Sequence, residues 1–581
     1  MQNLSGEIKM QKSFKKCHFL YLGAVILVSL TAACLQGNNE VTGVDKPAVE
    51  QSAIDQPGIG PTVIASSTDA IVDTECGKVR GYIHIDTDTS TRTYTFKGIP
   101  YATAERFMPP EKTESWKGFR STLTYGPIAP QPFNEQVYRD EEAFMLDWNF
   151  RYQTEECQQL NVWTQGLNDG RKRPVMVWLH GGGFTSGSAH EMGVYDGENL
   201  SKIGDVVVVS INHRLNVLGF LDLSAFGDKY KYSANVGLMD IVSALKWVKN
   251  NIANFGGDPG NVTIFGQSGG GGKVSTLLAT PAAKGLFHKA IVQSGSTIKV
   301  GEAETTRKVG AAVLEVLGLS PEQVDTLQEI PYDKLYQAGQ DALARVREEM
   351  MKGNPTGNTA FRFGWSPVVD GDYLPAHPFY PAAPELSKDI PLMVGSTINE
   401  IFQTLLNPSL RNLSMENAEE SIRKRYGEKA AVFIEEFGKV YPGYTPEDLI
   451  DTDIMFRGNV IRQARLKSAQ KGAPVYVYQF AWQNPLFDGV YKSLHCMEIP
   501  FVFDNATQYD VNTGGGRKVA ALADKVSQAW INFARTGNPN HDGLPEWPSF
   551  TEENYNTMIF DYTCVLKNNH DRKLLEIAGS N

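Results

Sequence analysis

Positive charge is in short supply. The chain carries 55 lysines and arginines against 66 aspartates and glutamates, a formal net charge of −11. A nucleic-acid binder needs a basic face to neutralise phosphates, and no long basic block is present to make one. Cysteine is scarce as well, with six in 581 residues. Cys17 and Cys34 lie close to the N-terminus. Cys76, Cys157, Cys496 and Cys564 are scattered without C-x-x-C spacing, which excludes a zinc ribbon or a dithiol redox motif. Two disulfides and four buried thiols are both open readings. The body has no internal repeat and no apolar run long enough to span a bilayer. What remains is an ordinary globular balance, 41% hydrophobic and 21% charged. A chain of this length can bury a large core without disulfides.

The N-terminus is different in kind. Lys9, Lys12, Lys15 and Lys16 precede an apolar stretch from Phe19 to Leu30, followed by Thr31, Ala32, Ala33 and Cys34. Charged, apolar and small-residue segments in that order predict a secretory signal over residues 1–33, with an uncleaved anchor as the alternative. Cys34 after two alanines resembles a bacterial lipoprotein acceptor, although Thr31 stands three places before it where Leu is usual. Diacylation there would tether the protein to a membrane. The expected location is therefore exported, periplasmic or anchored to the outer membrane. Residues 34–68 are rich in Asn, Gly, Pro, Ser, Asp and Gln. They predict a flexible tether, because they bury too little apolar surface to offset ordering.

Residues 69–581 predict one α/β domain with insertions. Val175–Leu179, Val206–Ile211, Val262–Phe265, Ala290–Val292, Pro391–Val394 and Val475–Phe480 are short apolar runs without alternation. Such runs suit strands buried on both faces of a mostly parallel sheet. Between them, Leu238, Ile241, Val242, Leu245, Val248 and Ile252 recur at helical spacing. Val519, Leu522, Val526, Trp530 and Phe533 do the same, with Gly537 and Pro539 as stop signals. Alternating strands and helices predict a central sheet with helices on both faces.

The strand-like Val262–Phe265 runs straight into Gly266-Gln267-Ser268-Gly269-Gly270, and helix-compatible sequence resumes near Val274. That context is a nucleophile elbow, which marks Ser268 as the nucleophile. The turn is tight enough that side chains at 266 and 270 would collide, and the helix behind it favours developing negative charge. A phosphate loop is the competing reading of this glycine-rich stretch. It fails on spacing, since Gln267 stands where Gly is needed before Lys273, and Val274 stands where Ser or Thr would hold magnesium. Upstream, the strand ending at Leu179 runs into His180-Gly181-Gly182-Gly183. Acyl transfer needs preorganised N–H donors for an oxyanion, and consecutive glycines allow close approach. Gly182, Gly183 and Gly269 are the predicted donors.

The chain resembles the type-B carboxylesterase family, which also contains the cholinesterases. The resemblance covers nearly the whole body. It is carried by Phe96–Ala102, Arg106–Pro110, Glu155–Val162, Asn235–Asp240, Phe255–Pro259, Pro367–Gly371 and Trp530–Gly537, together with the two glycine motifs. It implies an α/β-hydrolase fold and a triad in the order Ser, acid, His. Only His495, His541 and His570 lie far enough after a plausible acid. Ser493–Phe503 resembles the family's catalytic-histidine segment, which implies His495. His541 lies in a polar turn and His570 near the polar tail. Glu400 is the expected acid, in a segment following a strand end, and Asp370 is the runner-up. The expected chemistry is hydrolysis of a small-molecule ester without metal or organic cofactor. A carbamate or amide hydrolase using the same residues is the close variant, and a non-catalytic binding protein the distant one.

Several positions depart from the family. Gln267 stands where Glu is usual, which removes a negative charge beside the site and argues against cationic choline esters. It is expected to bind a water or lie against the acid's loop. Ala129 stands where the partner of Cys157 would be, so an early disulfide is expected to be lost and the intervening loop to be mobile. Trp148 is expected to be a pocket or packing aromatic. Cys496 follows His495 where Gly is common and is expected to be a packing thiol. Ser294 either supports the histidine or is structural.

Overall fold

The computed structural model describes residues 62–66, 68–132, 152–353 and 363–579. Its centre is a twelve-stranded sheet. In chain order the strands are β1 (Val63–Ile64), β2 (Tyr82–Ile85), β3 (Arg92–Pro100), β4 (Gln159–Thr164), β5 (Arg173–Leu179), β6 (Val207–Ile211), β7 (Gly257–Gln267), β8 (Lys289–Gln293), β9 (Leu392–Thr397), β10 (Val475–Phe480), β11 (Thr557–Phe560) and β12 (Val565–Lys567). In space they run β1-β2-β3-β4-β6-β5-β7-β8-β9-β10-β11-β12. From β6 to β11 every pairing is parallel. The strands at either end join antiparallel.

Alternate side chains of a strand face opposite ways. In β5, Val175, Val177 and Leu179 enter one core, with Ile241 and Leu245 of α1 (Val236–Asn251), Val274 and Leu277 of α2 (Gly269–Leu277), and Val460 and Ile461 of α3 (Met455–Ser468). Met176 and Trp178 enter the other, with Val519, Leu522, Val526 and Trp530 of α4 (Gly516–Thr536). Both faces are covered, so all seven residues of β5 are buried. This is why the strands read as continuous apolar runs rather than alternating ones. A third, smaller core lies among the helices Ala303–Leu317 and Tyr332–Gly353, around Val313, Leu335 and Trp365.

Parallel strands share one carboxyl end, and that end collects the site. The loops after β5, β7, β9 and β10 deliver the glycine loop, Ser268, Glu400 and His495 there.

Candidate active site

Ser268 lies between the last residue of β7 and the first of α2. Its φ of 56° and ψ of −122° are angles that a serine holds only under constraint. The constraint is crowding. A methyl group on Gly266 would lie 2.5 Å from the Leu179 carbonyl oxygen, and one on Gly270 would lie 1.9 Å from the same atom. Ser268 N–H donates to the Gln293 carbonyl of β8 at 2.8 Å, and the Ser268 carbonyl accepts from Gly272 N–H at 3.0 Å. The turn is thus tied on both sides. The serine opens into a pocket of about 300 Å³ walled partly by Phe184, Met455 and Phe456.

The glycine loop lies beside it. Gly182 (φ +74°) and Gly183 (φ +65°) occupy left-handed conformations that disfavour other residues. The Gly182 carbonyl accepts from Thr185 N–H at 3.2 Å and Ser186 N–H at 3.0 Å, closing a turn. A methyl group on Gly269 would lie 2.4 Å from Gly183 nitrogen, and one on Gly181 would lie 3.6 Å from Ser268 Cβ. The three predicted oxyanion donors are therefore neighbours at the mouth of the elbow.

Glu400 and His495 meet at the next two strand ends. Glu400 (φ +43°) forms a parallel bridge with Leu494, and its carbonyl accepts from His495 N–H at 3.0 Å. Carboxylate oxygen Oε1 accepts from Thr397 N–H at 2.9 Å, and Oε2 forms a short hydrogen bond with His495 Nδ1. Glu400 is completely buried. Asp370 goes elsewhere. Its Oδ2 accepts from Asn235 at 2.9 Å and its Oδ1 from the backbone of Asp372 and Leu374, so it closes a turn. His541 reaches the Lys525 carbonyl at 3.0 Å, and His570 pairs with Asp571.

The family model for the carboxylesterase family matches residues 68–576. The chain belongs to the carboxylesterase family. It is 34% identical over 509 residues to the para-nitrobenzyl esterase of Bacillus subtilis, covering 86% of this chain and 96% of that one. It is 33% identical over 528 residues to liver carboxylesterase 1 of Oryctolagus cuniculus, covering 83% and 88%. A solved esterase from Clostridium hathewayi, described as able to hydrolyse aliphatic aromatic polyesters, superposes with a TM-score of 0.77 at 37% identity, over 89% of this chain and 99% of that one. The α/β-hydrolase fold is thus shared with solved carboxylesterases.

The surroundings of His495 set its charge. Burial pulls the imidazole's pKa down, but the Glu400 carboxylate more than offsets this, and the net direction is upward from 6.5. The Gln267 side chain lies on the histidine rather than on the acid's loop. Its amide nitrogen is 3.4 Å from Nδ1 and 3.3 Å from Nε2. A point equidistant from both ring nitrogens lies above the ring, since in plane it would collide with the carbon between them. Gln267 therefore packs on the imidazole face, and its oxygen accepts from Cys496 Sγ at 3.2 Å. Phe456 packs near the same ring, at 5.4 Å between centroids. Among the described residues, the Ser268 hydroxyl makes no hydrogen bond to His495. Hydrogen bonds of this kind are often long in an empty enzyme and tighten with substrate.

Two further carboxyls surround the pair, and the sequence reading missed both. Glu498 is completely buried, and burial followed by the nearby Glu400 charge pushes it up to about 7. One of its oxygens accepts from Gln293 at 3.2 Å. Asp453 is also pushed to about 7 by burial and Glu400. Glu498 could have been found, because it lies three residues after His495 in the same turn. Asp453 carries no local signal.

The remaining expectations divide. Cys76, Cys157, Cys496 and Cys564 are all free thiols, and Ala129 packs against Cys157 in the place a disulfide partner would take. Burial raises the Cys496 thiol well above its usual range, which suits a packing group. Ser294 lines the pocket, and its hydroxyl is buried without a partner among the described residues, so no hydrogen bond links it to His495. Trp148, most of the loop around it, and Cys34 lie outside the described residues.

Proposed function

We propose that this chain is a serine carboxylesterase hydrolysing uncharged esters of short-to-medium acyl or aryl groups through Ser268, His495 and Glu400. The observation that carries the reading is the short Glu400–His495 hydrogen bond, placed at the strand ends beside a strained serine and a left-handed glycine loop. His495 takes the Ser268 proton as the hydroxyl attacks the ester carbonyl. Glu400 holds the imidazole by Nδ1 and stabilises its charged form. N–H groups of Gly182, Gly183 and Gly269 receive the oxyanion, helped by the α2 N-terminus. His495 then protonates the leaving alcohol, and water releases the acyl group along the reverse path.

The pocket of about 300 Å³, walled partly by Phe184, Met455 and Phe456, fits a small apolar acyl or aryl group. Gln267 in place of a carboxylate removes one negative charge that would attract a cationic alcohol, and no charged side chain is among the residues lining the pocket. The names para-nitrobenzyl esterase and polyester-hydrolysing esterase, borne by relatives, agree with an uncharged, partly aromatic substrate. The test is hydrolysis of p-nitrophenyl butyrate by protein beginning after Cys34. Wild type should turn over and be labelled by a fluorophosphonate. Ser268→Ala should lose both, by about 10³-fold or more in rate. An unlabelled, inactive wild type would favour the binding-protein reading instead.

A further inference from the structure

Lys273 is the one completely buried lysine on α2, the helix that starts at the nucleophile. Burying an ammonium is costly, and a hydrophobic residue of similar size would generally serve packing better. Among the described residues, no carboxylate lies within ion-pair distance of it. Its Nζ donates instead to two backbone carbonyls, His180 at 2.8 Å and Gly181 at 3.3 Å. Both belong to the loop after β5 that carries Gly182 and Gly183.

The connectivity gives these bonds a consequence. The Gly181 carbonyl and the Gly182 N–H belong to the same peptide group. A donor pulling on the oxygen polarises the N–H on its far side, and hydrogen bonds in series reinforce one another. His180 Nδ1 also lies 3.1 Å from the Gly181 oxygen. The Gly182 carbonyl, which shares its peptide with Gly183 N–H, is likewise held by two backbone donors. We infer that Lys273 is a positioning residue for the oxyanion hole, tying the glycine loop to the nucleophile helix and strengthening Gly182 N–H as a donor. This rests on the esterase reading above.

The same geometry places a positive group behind the loop where negative charge develops. Burial lowers the lysine to about 7, with the Glu191 carboxylate opposing that shift. Glu191, itself raised to about 7 by burial, His180 and His213 are the titratable groups around it, and burial keeps both histidines neutral. At neutral pH the ammonium and the neutral amine therefore coexist, and either form has N–H groups to donate to the His180 and Gly181 carbonyls.

The experiment compares wild type with Lys273→Met, which keeps the length and loses the donor and charge. Four quantities are read: kcat and KM for p-nitrophenyl butyrate, the inhibition constant of a trifluoromethyl ketone that forms an oxyanion adduct, and the melting temperature. Removing a full oxyanion donor costs about 10²–10³ in kcat, so weakening one should cost roughly 10-fold. The expected result is that loss in kcat, KM within about twofold, trifluoromethyl ketone binding weakened by a similar factor, and an unchanged or raised melting temperature. Should Lys273→Met fail to fold, Lys273→Gln is read by the same criteria. A kcat within about twofold of wild type, or a lower kcat with undiminished ketone binding, would overturn the inference. Failure of both variants to fold would overturn it in favour of a purely structural lysine. An inactive wild type would indict the esterase reading instead, so the two failures are distinguishable.

Discussion

At the scale of the residue, His495 is the group whose surroundings set the pH response. On the proposed mechanism its imidazole must be neutral to accept the Ser268 proton, so the rate should rise with pH as it deprotonates. Because Glu400 holds the charged form, the folded pKa is raised, and the limb must lie above the ordinary value of about 6.5 rather than at it. Plotting kcat/KM for p-nitrophenyl butyrate from pH 5 to 9 should show one rising limb centred above that value. Gln267→Glu sets a carboxyl against the ring face and should move the limb upward by roughly one unit. A limb at or below 6.5, or one that Gln267→Glu leaves in place, would mean that the titrating group is not His495. Glu498 and Asp453 act in the same interval. As they ionise near 7 they add negative charge around the pair, which broadens the limb.

At the scale of the element, the elbow is held by absence of side chains more than by contacts made. Gly270→Ala would drive a methyl group into the Leu179 carbonyl of β5, forcing β5 and α2 apart. Its expected outcome is loss of soluble, fluorophosphonate-reactive protein, or a melting temperature lower by several degrees. Wild-type activity and stability would show that the turn relaxes more easily than its geometry implies. Much of this element scale was legible in the sequence. β10 spans the very residues read as apolar, Val475–Phe480, and the other five runs fall within two residues of an observed strand except for β7 and β9. β7 begins earlier, at Gly257, because its polar first half pairs with β5 only at Gly257 before a register shift. β9 extends to Thr397 because Ser396 and Thr397 pair with β10, although neither is apolar. The helices from 303 to 353 were harder. They pack on one another around a separate small core, so no continuous apolar run announces them. The site divides likewise. Ser268 and the glycines carry motifs, and Glu400 and His495 were reachable through family resemblance. Gln267 over the imidazole, Asp453 and the Lys273 bonds follow from tertiary placement, which no local pattern encodes.

At the scale of the whole molecule, the question is where the enzyme works. We propose that residues 1–33 direct export and that Cys34 becomes an acylated N-terminus, leaving residues 35–68 as a tether to the catalytic domain. Expression of the full chain in a bacterium fed an alkyne-bearing palmitate should label the wild type and leave Cys34→Ala unlabelled. The wild-type activity should then sediment with membranes. Equal labelling of both proteins, or of neither, would rule out lipidation at Cys34.

The order of these residues along the chain also decides when activity can begin. Ser268 and the oxyanion loop are synthesised first, and 227 further residues separate Ser268 from His495. At about 5–20 residues per second, a ribosome takes roughly 11–45 s to cover that distance. During that interval, on the proposed triad, the chain holds a nucleophile with no base to activate it. The Glu400 backbone is anchored to Leu494 and His495, so the acid too reaches its place only when the last third of the chain has folded. On the proposed triad, hydrolytic power is switched on by completion of the fold, and a chain stalled during synthesis carries none.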